Sequence, residues 1–247
     1  MLPRMPDSDG ARDIAQKLFR GLAASYDRTV DYATIYQDRY WKKWAIEKAA
    51  LSDGSLVLDL GCGTLLLEER IRSNCRFVGV DVTSEMARIG WAKGLANVSL
   101  VINGDAEALP FPDEAFDAAV SCYVPKYVSM NRLAGELARI VRPGARVVLY
   151  DFARPGGISA PLLEPYIQVG LRTIGLLLRK TRNGAAFAFE RLPRIIDRTS
   201  WNKEVVKAME DRGFETLAAS SLTAGVVFAY CGRKRSRQTD TGGRATR

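Results

Sequence analysis

Residues that could contact a nucleoside stand at regular places in the first half of this 247-residue chain. Gly61 and Gly63 follow a short apolar run, and glycines let a backbone turn tightly and approach a ligand closely. Asp81 ends the next apolar run, where its carboxylate either accepts hydrogen bonds from ribose hydroxyls or serves as an acid at a helix N-terminus. Asp105 follows the third run, where it lies in the same crevice or only completes the turn 103–105. The spacing predicts a nucleoside site.

The residues after Gly61 narrow the kind of nucleoside ligand. They read CGTLLL, so the G-x-G-x-x-G pattern that packs a helix under a pyrophosphate is missing. The chain also lacks the GxxxxGK[ST] loop that cradles a nucleoside triphosphate. We therefore expect a ligand that carries adenosine but no phosphate.

Histidine is absent from the chain, which restricts the chemistry that could follow. Its absence excludes a Ser-His-Asp or Cys-His nucleophile, a histidine-ligated zinc and a histidine general base. The remaining candidates for proton transfer are a bound water, Tyr26, Tyr123, Lys126 and Asp151. Asp151 could equally cap the segment that follows it, and Lys126 could be a solvated surface charge.

The four cysteines are scattered, without a C-x-x-C pair, so we predict no metal site and no disulfide framework. Scattered cysteines without a disulfide framework favour a protein of the reducing cytoplasm. The first ten residues carry acids and prolines where a signal peptide would need an apolar run. We therefore expect a cytoplasmic protein.

Apolar runs alternate with helical patterns from residue 51 onward, which is typical of a parallel sheet covered on both faces by helices. Five such strands precede residue 151, and two more, over 214–219 and 225–231, are spaced for an antiparallel hairpin at a sheet edge. The predicted fold class is α/β: a Rossmann-like, doubly wound sheet of seven strands, mostly parallel with an antiparallel C-terminal edge hairpin, plus a helical insertion or lid.

The predicted organisation has three parts. Residues 1–50 form an N-terminal helical segment that covers the site, and residues 51–234 form the main domain with a helical lid at about 152–200. Residues 235–247 form a basic tail, which we predict to be disordered because it lacks any apolar period. Residues 233–247 carry +5 of the net charge of +8, which argues against a broad nucleic-acid surface.

The predicted lid combines an apolar stretch over 162–178 with an excess of basic residues over 172–198. Glu164, Pro165, Gln168 and Arg172 interrupt the apolar stretch, which makes a spanning helix a poor interpretation. The pattern fits one or two amphipathic helices, either packed on the core with a solvated face or lying on a membrane surface above a lipid substrate.

Four stretches resemble class I S-adenosylmethionine-dependent methyltransferases, and within them the ubiquinone/menaquinone biosynthesis C-methyltransferase family. They are VLDLGCGT from Val57, VGVDVTSEMARIG from Val78, GDAEALPFPDEAFD from Gly104 and ELARIVRPGARVVLYDFARP from Glu136. The segment LFRGLAASYDRTVDY from Leu18 and the ending GFETLAASSLTAGVVFAYCGRK from Gly213 are also similar to that family. The resemblance covers residues 15 to 234.

The resemblance implies S-adenosyl-L-methionine as cofactor and assigns roles by position. Gly61, Gly63 and Thr64 would cradle its amino-acid end, Asp81 would bind the ribose, and Asp105 with Ala106 would bind the adenine. Ser121 would line the methyl-transfer region, and Tyr26 would close over the site. Asp59 and Val82 complete the predicted cofactor-binding set. Lys126, Asp151 and Tyr123 are the predicted catalytic residues.

Two positions depart from the family pattern. Leu65 replaces the usual third glycine of the first loop, and Tyr123-Val124-Pro125-Lys126-Tyr127-Val128 replaces the usual Leu-Arg-Asn-Val stretch, so that Lys126 stands in for the arginine if one residue is deleted. The resemblance implies a small apolar or prenylated aromatic substrate and contact with the inner face of a membrane. The alternatives are an O- or N-methyltransferase of another metabolite or lipid, and a cofactor-binding partner or sensor without turnover.

Overall fold

A computed structural model describes residues 8–71, 74–154 and 185–236, together with positions 161 and 173. Within this part of the chain, seven strands form one sheet in the order β3-β2-β1-β4-β5-β7-β6. The strands are β1 Leu56–Leu60, β2 Arg76–Asp81, β3 Val98–Asn103, β4 Phe116–Cys122, β5 Val141–Phe152, β6 Phe214–Leu222 and β7 Val227–Lys234. This sheet confirms the predicted fold class.

The strand order reverses at β1, which pairs in parallel with β2 on one side and with β4 on the other. A crevice opens at such a point because the connections leave toward opposite faces of the sheet, and ligands of open α/β sheets bind there. The loops after β1, β2 and β4 therefore meet at one edge. That edge carries the glycines and acids singled out from the sequence.

The C-terminal strands β6 and β7 form the predicted antiparallel hairpin. β7 also pairs antiparallel with β5, which leaves β6 at the edge of the sheet. β5 begins at Val141, five residues before the predicted strand at Arg146, because Val141 pairs with Phe116 of β4 ahead of a register shift.

Helices cover the sheet on both sides, as the pattern predicted. Their bounds are α1 Ser8–Leu22, α2 Tyr26–Ala33, α3 Gln37–Ala49, α4 Leu66–Glu69, α5 Ser84–Trp91, α6 Met130–Ile140, α7 Ala185–Arg198 and α8 Trp201–Glu210. Among the described residues, none of the helices combines the length and apolar character needed to cross a membrane.

The core lies in two layers because alternate side chains of each strand point to opposite faces. Val57 belongs to the layer with helices α1 to α4 and α7, whereas Leu58 and Leu60 belong to the layer with α6 and α8. Trp41 and Trp201 are fully buried, one in each layer. Helices α1 to α3 thus pack on the face that borders the crevice.

The predicted N-terminal segment over 1–50 is helical from Ser8 to Ala49, with short breaks. Most of the predicted lid over 152–200 falls outside the described residues, and so does nearly all of the predicted tail over 235–247. The division into these parts stays a prediction.

Candidate active site

The loop after β1 is built from backbone that only glycine accommodates easily. Gly61 and Gly63 have positive φ angles of 72° and 55°. The backbone N–H groups of Gly61 and Cys62 both donate to the carbonyl oxygen of Val80, which ties the loop to the end of β2. A Cβ on Gly61 would lie 2.1 Å from Cγ2 of Val124, in the loop after β4. The glycine therefore lets three loops converge.

Leu65, at the position of the usual third glycine, keeps the left-handed backbone of a glycine, with φ 61°. Its side chain is buried and fills space that two other glycines leave open. A Cβ on Gly90 would lie 2.8 Å from Cγ of Leu65, and a Cβ on Gly79 would lie 3.4 Å from its Cδ2. The larger side chain at residue 65 fits because Gly90 in α5 and Gly79 in β2 carry no side chain beside it.

Asp81 ends β2 with its carboxylate in the cleft beside this loop. Its two oxygens accept hydrogen bonds from the backbone N–H groups of Gly63, at 2.8 Å, and Thr83, at 2.7 Å. Burial raises the pKa of Asp81 to about 6, against the lowering effect of these two donors. Each carboxylate oxygen has a second lone pair, so Asp81 can still accept from the hydroxyls of a ribose.

Helix α1 lies over the other half of the cleft. Arg12 pairs with Asp105 at 2.5 Å, Gln16 donates to the carbonyl oxygen of Val82 at 2.9 Å, and Arg20 pairs with Glu85 at 2.8 Å. The cleft between α1 and the glycine loop has a volume of about 70 Å³. Ligand pockets usually measure about 300–1,000 Å³, so the cleft is narrow for a nucleoside ligand in this structure.

Thr64 connects the glycine loop to α2. Its hydroxyl donates to Asp27, whose other oxygen accepts from Lys93, and Lys93 also pairs with Glu69. Tyr26 immediately precedes Asp27 in the sequence. The hydrogen bond between Thr64 and Asp27 therefore fixes the position of α2 beside the cleft. Thr64 thus holds the N-terminal segment, and its predicted contact with a cofactor stays a prediction.

Asp59 and Ser121 lie beneath the cleft rather than along its described lining. Ser121 is fully buried and donates its hydroxyl hydrogen to the carbonyl oxygen of Leu60 at 2.9 Å. Asp59 is buried beside Glu68; burial raises the pKa of Asp59 to about 6 and raises that of Glu68 well above its usual range. Two adjacent buried carboxyl groups disfavour the ionisation of both at once.

The other predicted cofactor residues do line the cleft. Its wall includes backbone and side chains from the loops after β1, β2 and β3, together with α1 and α2. From the predicted set it contains Tyr26, Gly61, Gly63, Asp81, Val82, Asp105 and Ala106.

A second cavity of about 550 Å³, here named the chamber, lies beside the cleft. Its walls come from α1, α2, the start of α3, α7, the loop after β4 and the turn between β6 and β7. Most of its lining is apolar, with Leu18, Leu22, Val30, Ala33, Trp41, Phe152, Leu192, Ile196 and Val226. Phe19, Tyr26, Tyr123 and Tyr127 line both cavities, so one aromatic wall separates them.

Lys126 is the one charged residue along the described lining of the chamber. Its ammonium group pairs with Asp151 at 2.6 Å, donates to the carbonyl oxygen of Tyr123 and lies 4.4 Å from the ring centre of Tyr127. Burial lowers the pKa of Lys126 and raises that of Asp151, and their mutual attraction opposes both shifts. Asp151 itself stays behind the wall, where backbone N–H groups of Lys126 and Phe152 also donate to it.

Tyr123 directly follows β4 with a positive φ of 67°. Its hydroxyl donates to Asp38 at 2.7 Å, and Asp38 also accepts from Lys42 and Arg70. Burial, and then the negative charge of Asp38, raise the pKa of Tyr123 well above its usual value; burial does the same for Tyr26. Both phenols are therefore neutral near pH 7, a state that does not suit a general base.

A family model for the ubiE/COQ5 methyltransferase family matches residues 7–234. The chain belongs to this family. A demethylmenaquinone methyltransferase of Mycobacterium bovis (strain BCG / Pasteur 1173P2) is 30% identical over 232 residues, covering 92% of this chain and 95% of the relative. The ubiquinone/menaquinone biosynthesis C-methyltransferase UbiE of Ectopseudomonas mendocina (strain ymp) is 28% identical over 241 residues, covering 93% and 92%. The chain is thus an S-adenosylmethionine-dependent methyltransferase.

Solved structures share the fold of this methyltransferase. An S-adenosylmethionine-dependent methyltransferase from Aquifex aeolicus superposes with a TM-score of 0.55 at 18% identity, covering 78% of this chain and 89% of that one. The [4+2]-cyclase SpnF superposes with a TM-score of 0.59 at 18% identity, covering 80% and 82%. At such identities the likeness shows the fold alone, and a cyclase among the neighbours illustrates that one fold hosts several reactions.

The cleft fits S-adenosylmethionine in the chemistry of its donors and acceptors. The Asp81 carboxylate suits ribose hydroxyls, and the positive φ angles of Gly61 and Gly63 shape the loop that borders it. The individual contacts stay predictions. Sequence reasoning missed Arg12, Phe19, Asp38 and Tyr127; a signal for Tyr127 existed in its spacing of four residues from Tyr123, but α1 carries no motif that points to the cleft.

Proposed function

We propose that this methyltransferase transfers the methyl group to a ring carbon of a prenylated quinol of the menaquinone or ubiquinone type. The observation that carries the proposal is the apolar chamber, which shares an aromatic wall with the cofactor cleft. A ring between Phe19, Tyr26, Tyr123 and Tyr127 would stand next to the cleft, while a prenyl tail would extend along the apolar lining. The relatives described above, a ubiquinone/menaquinone biosynthesis C-methyltransferase and a demethylmenaquinone methyltransferase, fit such an acceptor.

Bound S-adenosylmethionine would supply a methyl group that is attached to a sulfonium. The sulfur departs as a neutral thioether and needs no proton. The residues of the chain then have to position the acceptor and exclude water. The aromatic wall does both, because it is apolar and packed edge to face: the ring centres of Phe19 and Tyr127 are 5.9 Å apart.

A ring carbon attacks a methyl group well only when the ring is electron-rich, which requires loss of a phenolic proton. We infer that the Lys126 ammonium group favours the phenolate by its positive charge. Asp151 holds that ammonium group in place from behind the wall. The phenolic proton leaves to a bound water, since the pKa values of Tyr26 and Tyr123 are raised. The hydrogen on the methylated carbon leaves as a proton when aromaticity returns.

The test is the identity of the product. We would incubate the protein with S-adenosylmethionine and a reduced prenylated naphthoquinol that lacks the ring methyl, and locate the new methyl group by mass spectrometry and NMR. The proposal expects a carbon-bound methyl group, and a rate that falls sharply for Lys126→Met/Asp151→Asn, a variant that leaves no unpaired buried charge. A methyl ether or N-methyl product would favour the O- or N-methyltransferase. Cofactor binding without any product would favour the sensor.

The site of action is part of the same proposal. All four cysteines are free and buried, which fits the reducing cytoplasm expected from their spacing. A prenylated acceptor resides in a bilayer, so we place the reaction at the inner face of the membrane.

A further inference from the structure

The turn between α2 and α3 exposes an unusual amount of apolar surface. Among the described residues, seven large hydrophobic side chains are exposed, and four of them fall between residues 32 and 40. These four, named the α2–α3 patch here, are Tyr32, Ile35, Tyr36 and Tyr40, with exposed fractions of 67%, 65%, 48% and 53%. Scattered single hydrophobic residues are normal on a surface, but a cluster marks an interaction site.

The backbone of this turn is strained in a way that presents the patch to solvent. Ile35 and Tyr36 both have positive φ angles, of 50° and 60°, which β-branched and bulky residues rarely adopt. Backbone hydrogen bonds hold them there: Ile35 donates to the carbonyl oxygen of Tyr32 at 3.1 Å, and Tyr36 donates to that of Asp31 at 2.7 Å. Such strain costs stability and persists only where the surrounding structure holds it; among the described residues, one other adjacent pair, Thr223 and Ala224, shares it.

The patch lies at one end of the chamber. Ile35 is exposed to solvent and also lines the chamber, as do its neighbours Thr34 and Gln37. An apolar molecule that left the patch would therefore pass Ile35 directly into the cavity that we assign to the acceptor.

Basic residues predominate among the exposed charges around the patch. Between residues 26 and 43, the exposed charged residues are Arg28, Arg39 and Lys43, all basic, and Lys43 pairs at 3.8 Å with the exposed acid Glu47, one turn further along α3. The three acids of this range are less exposed and are engaged: Asp27 with Lys93, Asp31 with Arg39 and Arg70, and Asp38 with Lys42 and Arg70. Tyrosines beside basic residues suit the headgroup region of an anionic membrane.

We propose that the α2–α3 patch docks on an anionic phospholipid bilayer, so that the acceptor enters the chamber from the lipid past Ile35. The identity of the acceptor rests on the proposed function, but the docking does not. The patch is then a surface that meets the membrane.

The test is flotation with phosphatidylethanolamine vesicles, with and without phosphatidylglycerol, in the absence of cofactor and quinol. The variant is Tyr36→Asn/Tyr40→Gln, because asparagine tolerates the left-handed backbone and neither tyrosine lines the chamber. The matched control is Trp91→Gln, which removes an aromatic residue of 54% exposure at the far end of α5. We expect the wild type and the control to float with phosphatidylglycerol vesicles, and the variant to partition about tenfold less or weaker still. Added salt should reduce the partition of the wild type.

Equal flotation of variant and wild type, or no flotation of the wild type, would overturn the proposal. So would a wild-type dimer that the double variant dissociates in sedimentation, because the patch would then be an interface between copies. Quinol methylation measured separately in detergent distinguishes the two claims. Flotation that depends on the patch, without quinol turnover, would support the docking and contradict the quinol as acceptor. Quinol turnover in detergent without flotation would support the quinol as acceptor and contradict the docking.

Discussion

The cofactor cleft is lined mainly by the loops after β1, β2, β3 and β4, together with α1 and Tyr26, whereas the chamber beside it is lined by side chains from four helices and two loops. In the cleft, Gly61, Gly63 and Asp81 lie within 21 residues of one another and are fixed by the sheet. In the chamber, Leu18 and Val226 meet from opposite ends of the chain. A local motif thus forms much of the cofactor cleft, whereas the chamber, which we propose for the acceptor, exists only in the assembled tertiary structure.

On the chamber side, the stability of the protein should depend most on the buried charge of Lys126. Lys126→Met leaves Asp151 buried without a counterion, and we expect the free energy of unfolding to fall by about 3–5 kcal/mol in urea titrations. Lys126→Met/Asp151→Asn should regain most of that loss, because asparagine keeps an acceptor for the backbone donors of Asp151. A single variant as stable as the wild type would contradict the buried pair.

The cleft side should be sensitive to a single added methyl group. Gly61→Ala brings a Cβ to 2.1 Å from Val124 at a positive φ, and we expect a loss of about 2–4 kcal/mol in thermal or urea unfolding. The control is Gly54→Ala, which has a similar φ of 79° but no atom within 4 Å of the added Cβ, and should lose about 1 kcal/mol. Equal losses for both variants would show that backbone conformation, not the close contact, dominates.

Restoring the family's glycine at residue 65 should not help this chain. Leu65→Gly relieves a left-handed leucine but opens a cavity beside Gly79 and Gly90, so we expect a net loss of about 2 kcal/mol in the same unfolding assay. A gain in stability or in cofactor affinity would mean that leucine is a defect of the cleft rather than a compensated change.

The pH dependence of cofactor binding should follow Asp81. Its pKa is raised to about 6, so affinity for S-adenosylmethionine should fall as the pH drops through 6, by roughly tenfold per unit at most. Stability should change in the opposite sense: a carboxyl group with a raised pKa in the folded state loses stability as the pH rises through 6. Asp59 acts in the same direction on stability. Calorimetric titration of Asp81→Asn should show a flat affinity profile, and a profile that still bends at pH 6 would assign it to another group.

The same comparison explains how much the sequence could predict. The succession of strands along the chain, the glycine turn and Asp81 follow from patterns within a few residues, because backbone conformation and strand ends are local properties. The chamber could not be predicted, because Phe19, Tyr127 and Leu192 carry no shared pattern and meet only when the helices pack. The pairing of Arg12 with Asp105 is equally remote, because the partners are 93 positions apart in the sequence. The helical character of the N-terminal segment was predicted from the sequence. The position of Arg12 over the cleft was not.

The most direct test of the division between cleft and chamber is steady-state kinetics with both substrates varied, on one variant of each side. Asp81→Asn alters the cleft, and Ala33→Phe fills part of the chamber without touching the described lining of the cleft. We predict that Asp81→Asn raises KM for S-adenosylmethionine by about tenfold, that Ala33→Phe raises KM for the prenylated quinol similarly, and that neither changes the other constant much. If Ala33→Phe leaves KM for the quinol unchanged, or shifts both constants equally, the chamber is not where the acceptor binds.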